Sequence, residues 1–179
     1  VNPSGKLPFT FPVRLEDNGA VVLGEYPGDK DVTYHEGILV GYRYADTKGV
    51  KPLFPFGHGL SYTTFKYGKL TANKKTTNGD ISFSVTVQNT GKRDGAEVVQ
   101  LYLHDEEASV LRPYKELKGF EKVFLKAGET KTVTFHITKQ DLSFFNPEQH
   151  AWIAEKGTFK ALVGTSSGDI KSTIDFTLE

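Results

Sequence analysis

With 179 residues, 37% of them hydrophobic and 25% charged, the chain has the composition of one folded domain, or a domain and a half, and not of a disordered segment. Its 22 basic and 22 acidic side chains cancel and form no basic stripe, which argues against nucleic acid or an anionic membrane surface as a partner. The absence of cysteine excludes disulfides, cysteine zinc sites and thiol catalysis, and no run of about 18 apolar residues is present to span a bilayer.

The first residues, 1–5, read as a turn, with neither an initiator methionine nor a charged-then-apolar leader, as expected of a chain that begins inside something larger. Segment 7–12 alternates apolar with other residues, but Pro8 and Pro12 restrict it to a short edge strand or an extended piece. Residues 16–19 and 26–31 are rich in Asp, Asn, Gly and Pro and read as turns. Ile38, Leu39 and Val40, followed by Gly41, Tyr42 and Tyr44, fit either a short strand or one helical turn. Residues 45–51 read as a polar, exposed loop.

Segment 52–62 separates this irregular third from the rest of the chain. Pro52 and Pro55 forbid helix, while Gly57 and Gly59 permit backbone angles that other residues avoid. Phe54, Phe56, Leu60 and Tyr62 carry an apolar load that a flexible linker lacks. The segment reads as a packed connector between two bodies. The alternative is an ordinary buried loop within one domain.

Beyond Tyr62 the pattern turns regular. Ile81, Phe83, Val85 and Val87 alternate with Ser82, Ser84 and Thr86, as in a half-buried antiparallel strand. Residues 89–95 supply a turn into a second strand, where Val99, Leu101 and Leu103 share a face. Segments 117–125, 131–137, 151–154, 158–163 and 170–178 are further strands, with a turn at 127–130. Residues 139–145 form the one helical interruption, with Thr138 as N-cap and Pro147 as stop. About seven strands over roughly 115 residues, separated by turn signals, describe an immunoglobulin-like or fibronectin type III-like β-sandwich. No cysteine pair brackets Trp152, which excludes the antibody type.

Candidate chemistry is sparse. Glycoside hydrolysis needs two carboxyl groups about 5 to 9.5 Å apart. Glu36, beside His35 and among Tyr34, Tyr42 and Tyr44, stands in the aromatic company that a sugar site uses; as a lone acid it more simply caps a turn or pairs with Arg43. His58, between Gly57 and Gly59, either lines a site that the backbone approaches closely or occupies a tight turn. Asp105, Glu106 and Glu107 lack the glycine-spaced ligands of a calcium loop and read as a solvated strand end. His104, His136 and His150 form no paired ligand motif, so no metal is expected. There is no nucleophile elbow around Ser4 or Ser61 and no phosphate loop. Segment 115–122, of mixed charge, reads as the wet face of a sheet.

Several motifs in fixed order carry a family resemblance. NPSGKLPFTFP at 2–12, YHEGILVGYRY at 34–44 and PLFPFGHGLSY at 52–62 resemble the closing motifs of the second domain of family 3 glycoside hydrolases, the β-glucosidase and β-xylosidase group. VVQLYL at 98–103, RPYKELKGFEKV at 112–123, AGET at 127–130 and DLSF at 141–144 resemble that family's C-terminal fibronectin type III-like domain. The resemblance implies a mainly β chain. It implies that residues 1–62 are the irregular tail of an α/β sandwich domain plus connector and 63–179 a complete fibronectin type III-like β-sandwich, with Phe54, Phe56 and Tyr62 at the seam and the rings of Phe54 and Phe56 buried between the two domains. It implies a retaining parent that hydrolyses terminal β-linked glucose or a related sugar, without a cofactor. The Asp nucleophile lies on an N-terminal (β/α)8 barrel and the Glu acid/base lies upstream of the motifs present here.

Neither catalytic carboxylate has a matching position in this chain. The chain alone is therefore expected to be inactive, with the N-terminal barrel and α/β portion of the same enzyme as its partner. β-Linked glucosides or oligosaccharides are then met through the parent, with Glu36 and His58 as cleft-edge positions. Ala45 stands where the family often has an aromatic residue. Family members are often periplasmic or secreted, which is the implied location. The competing reading is a stand-alone β-sandwich module that binds carbohydrate or protein, because fold does not fix function.

Overall fold

In the computed structural model, which describes residues 1–179, the alternation at 81–87 becomes the inner face of a β-sandwich. The strands are β1 (Phe65–Tyr67), β2 (Thr71–Ala72), β3 (Thr76–Thr77), β4 (Ile81–Asn89), β5 (Gly95–Asp105), β6 (Glu116–Leu125), β7 (Thr130–Ile137), β8 (Phe144–Asn146), β9 (Ala151–Ile153), β10 (Gly157–Ser166) and β11 (Asp169–Leu178). The short helices are α1 (Gly19–Val22), α2 (Tyr42–Lys48) and α3 (Lys139–Leu142). One sheet places β4 between β7 and the short β1 and β2; the other runs β3-β11-β10-β5-β6, and β8 with β9 makes a separate hairpin. Phe83, Val85 and Val87 of β4 share a single buried cluster with Leu101 of β5, Phe159 of β10 and Phe176 of β11. Fully burying each such side chain contributes about 1.5–3 kcal/mol.

Residues 89–95 do not close a hairpin. β4 pairs with β7, and β5 pairs with β6 and β10, so the segment crosses from one sheet to the other. The apolar faces of β4 and β5 thereby oppose each other across the core. Asn89, buried at the crossover, donates to the carbonyls of Arg93 and Leu125 at 2.7 and 3.1 Å and accepts from Thr63 Oγ1 at 2.6 Å, which ties the crossing to the end of the connector. The turn at 127–130 stands as read, with Gly128 at φ +80°. The expected helix over 139–145 shortens to α3. The Asp141 carboxylate accepts from the Thr138 N–H and hydroxyl at 2.8 and 2.7 Å and caps the turn, but Phe144 and Phe145 leave it to pair with Ile153 and Trp152.

The tail folds back on itself. The Leu7 N–H donates to the His58 carbonyl at 2.8 Å, the Gly57 N–H to Leu7 and the Phe11 N–H to Phe54, each at 2.8 Å. Segment 7–11 thus runs against 54–58 as an extended pair. Ile38 and Leu39 lie at a turn closed by the Leu39 N–H on the Glu36 carbonyl at 2.9 Å. Most of the expected loop at 45–51 is helix, because Ala45 is buried beneath α2. In all of 1–62, only Leu39 and Ala45 are buried apolar side chains.

Candidate functional site

Strand β5 is covered on both faces. Val99, Leu101 and Leu103 enter the core, whereas Gln100 and Tyr102 point out of the sandwich and yet are only 3% and 0% exposed. The tail covers them. Tyr42 of α2 stacks on Phe56 with ring centroids 4.8 Å apart and meets Tyr102 edge-on at 5.9 Å, and its hydroxyl accepts the Leu117 N–H at 2.8 Å. Gln100 Nε2 donates to the Thr165 carbonyl at 2.6 Å and to the Gly57 carbonyl at 3.3 Å, while its Oε1 accepts the Tyr102 hydroxyl at 2.6 Å. The Ser167 N–H closes the contact on the Phe56 carbonyl at 2.8 Å. Gly57 is required on two grounds: its φ is +81°, and a Cβ there would lie 2.2 Å from Gln100 Oε1. Burial pushes the Tyr102 phenol up, so it remains a donor to Gln100.

Ion pairs surround this contact. Buried Lys115 reaches Asp46 of α2 at 2.7 Å, Arg43 reaches Glu116 at 3.3 Å, and Lys6 reaches Glu97 at 2.7 Å. Arg112 binds Asp105 at 2.9 Å and Glu116 at 2.8 Å and donates to the Leu142 carbonyl at 3.2 Å. Burial pushes Asp46 up against the pull of Lys115. Burial acts on Glu116 in the same sense, but Lys118, Arg112 and Arg43 outweigh it and hold that carboxyl below the usual range. Two expectations are corrected here: Lys115 does not lie on a wet sheet face, and Asp105 is not a solvated strand end. The covering tail and the Arg112 side chain take them out of water, and each is buried with a counter-charge, as buried charges must be.

Glu36 and His58 are not brought together; they line different clefts. Glu36 lies in a small cleft between α1, α2 and segment 10–12, where its Oε2 and the Thr10 hydroxyl are buried without partners. Arg43 turns to Glu116 instead of Glu36. The backbone N–H groups of His35 and Glu36 both donate to Glu25 Oε1, the latter at 3.0 Å. Glu25 is buried, and the sequence signal for it was slight, a single acid among turn-formers. His58 rests on Phe54 with centroids 5.1 Å apart. Phe54 is 41% and Tyr62 72% exposed, and within the tail the Phe54 ring lies edge-on to Phe11 at 6.3 Å. Phe56 meets the sandwich through its carbonyl on the Ser167 N–H, and its ring stacks on Tyr42. Sequence reasoning also passed over Gln100 and Tyr102, whose signal was a polar and an amphipathic residue alternating with the apolar run of β5.

Comparison with known proteins defines the class first. A fibronectin type III-like domain model matches residues 97–167, from β5 to just past β10, and the sandwich is a domain of that type. Similarity then extends across nearly the whole chain. It is 55% identical over 181 residues to the β-glucosidase BoGH3A of Bacteroides ovatus, covering 98% of this chain and 24% of that protein. It is 54% identical over 173 residues to thermostable β-glucosidase B of Acetivibrio thermocellus, covering 95% of this chain and 23% of that one. The crystal structure of the GH3 β-glucosidase of Bifidobacterium adolescentis matches with a TM-score of 0.93 at 41% identity, covering 99% of this chain and 26% of its own. That of β-glucosidase 3B from Thermotoga neapolitana in complex with glucose matches with a TM-score of 0.89 at 40% identity, covering 99% and 25%. The chain spans about a quarter of the length of these relatives, and it corresponds to a C-terminal portion of family 3 β-glucosidases.

Proposed function

We propose that the chain serves as the C-terminal part of a retaining β-glucosidase, bracing the catalytic portion and carrying no bond-breaking group of its own. The observation behind this is the 55% identity, over 98% of the chain, to a β-glucosidase of which it makes up 24%. Packing supports the reading. Phe9, Phe11, Leu53, Phe54, Leu60 and Tyr62 of the tail are 41% to 76% exposed, and apolar surface on this scale marks a face that another body covers. We assign that cover to the α/β portion of the parent, with residues 1–62 as its tail and connector and 63–179 as the fibronectin type III-like domain. Glu36 and His58 then stand at the edge of the parent's cleft. The parent reaction is two-step hydrolysis of a terminal β-linked glucose through a covalent glycosyl-enzyme.

The test is complementation. The 179-residue chain is assayed with an aryl β-glucoside, alone and after co-expression with the preceding portion of a close relative. No turnover alone and turnover on combination are expected. Hydrolysis by the chain alone, or no gain on combination, overturns the proposal.

A further inference from the structure

The groove between the β8–β9 hairpin and the tail differs in chemistry from the other exposed apolar surface. Phe145 and Trp152 are cross-strand partners, T-shaped with centroids 5.8 Å apart, and stand 48% and 64% exposed. The same groove is lined by Leu111 and Lys118 from the sandwich and by Ile38 and Arg43 from the tail. Arg43 makes one ion pair, to Glu116 at 3.3 Å, and most of its five N–H donors are free. By contrast, the depression around Phe9, Phe11, Phe54 and Leu60 has a single charged side chain, Lys6, already paired with Glu97. That face suits an apolar protein cover. The hairpin groove instead sets exposed ring faces beside Arg43, with donors to spare, and Lys118, both of which share the Glu116 carboxylate with Arg112.

We propose that this groove binds a β-linked oligosaccharide, the choice of sugar class resting on the β-glucosidase reading above. A glucosyl ring with equatorial hydroxyls presents flat C–H faces that stack on an indole or phenyl ring, and its hydroxyls radiate in the ring plane toward side-chain donors and acceptors. Trp152 and Phe145 supply the stacking platform. Arg43 and Lys118 supply the hydrogen-bonding edge, and Glu116, held by both and by Arg112, fixes their positions. The sugar engages residues of both the sandwich and the tail, so it also bears on the seam that joins them.

Trp152 is the only tryptophan, so its fluorescence reports on this groove alone. The 179-residue chain is titrated with cellotetraose and, separately, with the α-linked maltotetraose. A saturable change in emission with cellotetraose is expected, weakened about tenfold by Phe145→Ala and weaker by at least as much for maltotetraose. Thermal unfolding of Phe145→Ala establishes that the variant is folded, and saturation-transfer NMR on Trp152→Phe reads binding without the reporter. No saturable response up to the solubility limit, an equal response to both sugars, or undiminished binding by folded Phe145→Ala overturns the proposal. So does an emission change that appears only when the preceding portion of a β-glucosidase is added, since the groove is then a protein contact. The readout needs no turnover: binding without complementation sinks the function proposed above and spares the groove, and complementation without binding does the reverse.

Discussion

Replacing Gln100 with alanine tests whether the tail is bonded to the sandwich or merely rests on it. The side chain satisfies the Tyr102 hydroxyl and the Thr165 carbonyl at 2.6 Å each and adds a longer bond to the Gly57 carbonyl. All of this takes place against a fully buried Tyr102. Each polar group stranded in such a place costs about 1–3 kcal/mol, so Gln100→Ala should cost about 2–4 kcal/mol. Tyr102→Phe removes only the donor and should cost about 1–2 kcal/mol. In the double variant no hydroxyl remains to be stranded, and the combined loss should fall short of the sum by about 1–2 kcal/mol. Urea unfolding of the four proteins reads these values from midpoints at unchanged slope, and each kcal/mol should move the thermal midpoint by about 2–4 °C for a chain of this size. A Gln100→Ala loss below about 1 kcal/mol, or strict additivity, would refute the bonded seam.

Phe56→Ala removes a half-buried ring stacked on Tyr42. About half the loss of a fully buried phenylalanine, roughly 2 kcal/mol, is expected, and a near-neutral value in the same assay would make 52–62 a plain linker. Asp141→Ala takes away the acceptor of two Thr138 hydrogen bonds and should cost about 1 kcal/mol, with less helical signal and no change at the seam. Glu116 has its pKa held below the ordinary 4.5 in the folded chain. Its contribution to stability is therefore fully present above pH 4.5 and is lost as pH falls through the folded value. Glu116→Gln should flatten the fall in urea midpoint between about pH 5 and 3; an unchanged acid limb would show that its cations do not govern it.

The sandwich was legible because period-2 alternation survives wherever one face is buried and the other is wet, as along Ile81 to Val87. It failed where both faces are buried. In β5 the residues that alternate with Val99, Leu101 and Leu103 are Gln100 and Tyr102, which look solvent-facing until the tail is laid over them. Residues 45–51 misread as a loop for a related reason: α2 is held in place by the burial of Ala45 and the docking of Tyr42, tertiary contacts that local composition does not record. Lys115 and Asp105 looked wet because charged residues usually are, and their partners Asp46 and Arg112 come from elsewhere in the chain. Of the candidate site, the Pro52, Pro55 and Gly57 punctuation marked 52–62 as a shaped, non-helical stretch, but its pairing with segment 7–11 rests on contacts such as Phe11 with Phe54, far apart in the chain, that sequence spacing alone does not reveal.

The seam also explains why an irregular tail is ordered at all. A segment with only Leu39 and Ala45 buried as apolar side chains cannot offset its own conformational entropy, which runs at about 1–2 kcal/mol for each backbone residue fixed. What holds it is external to it: the Tyr42–Phe56–Tyr102 ring contacts, the Gln100 amide, and ion pairs from Lys6, Arg43 and Asp46 to β5 and the segment around β6. The ring contacts and the Gln100 amide land on the outer side of the sheet that carries β5, and the ion pairs hold the margins of that contact. The inner face of β5 thus makes the fibronectin type III-like domain, and its outer face makes the tail part of the same folded unit. Segment 52–62 is a short, stiff bond between those two tasks, with Gly57 at the point where its backbone must pass closest to Gln100.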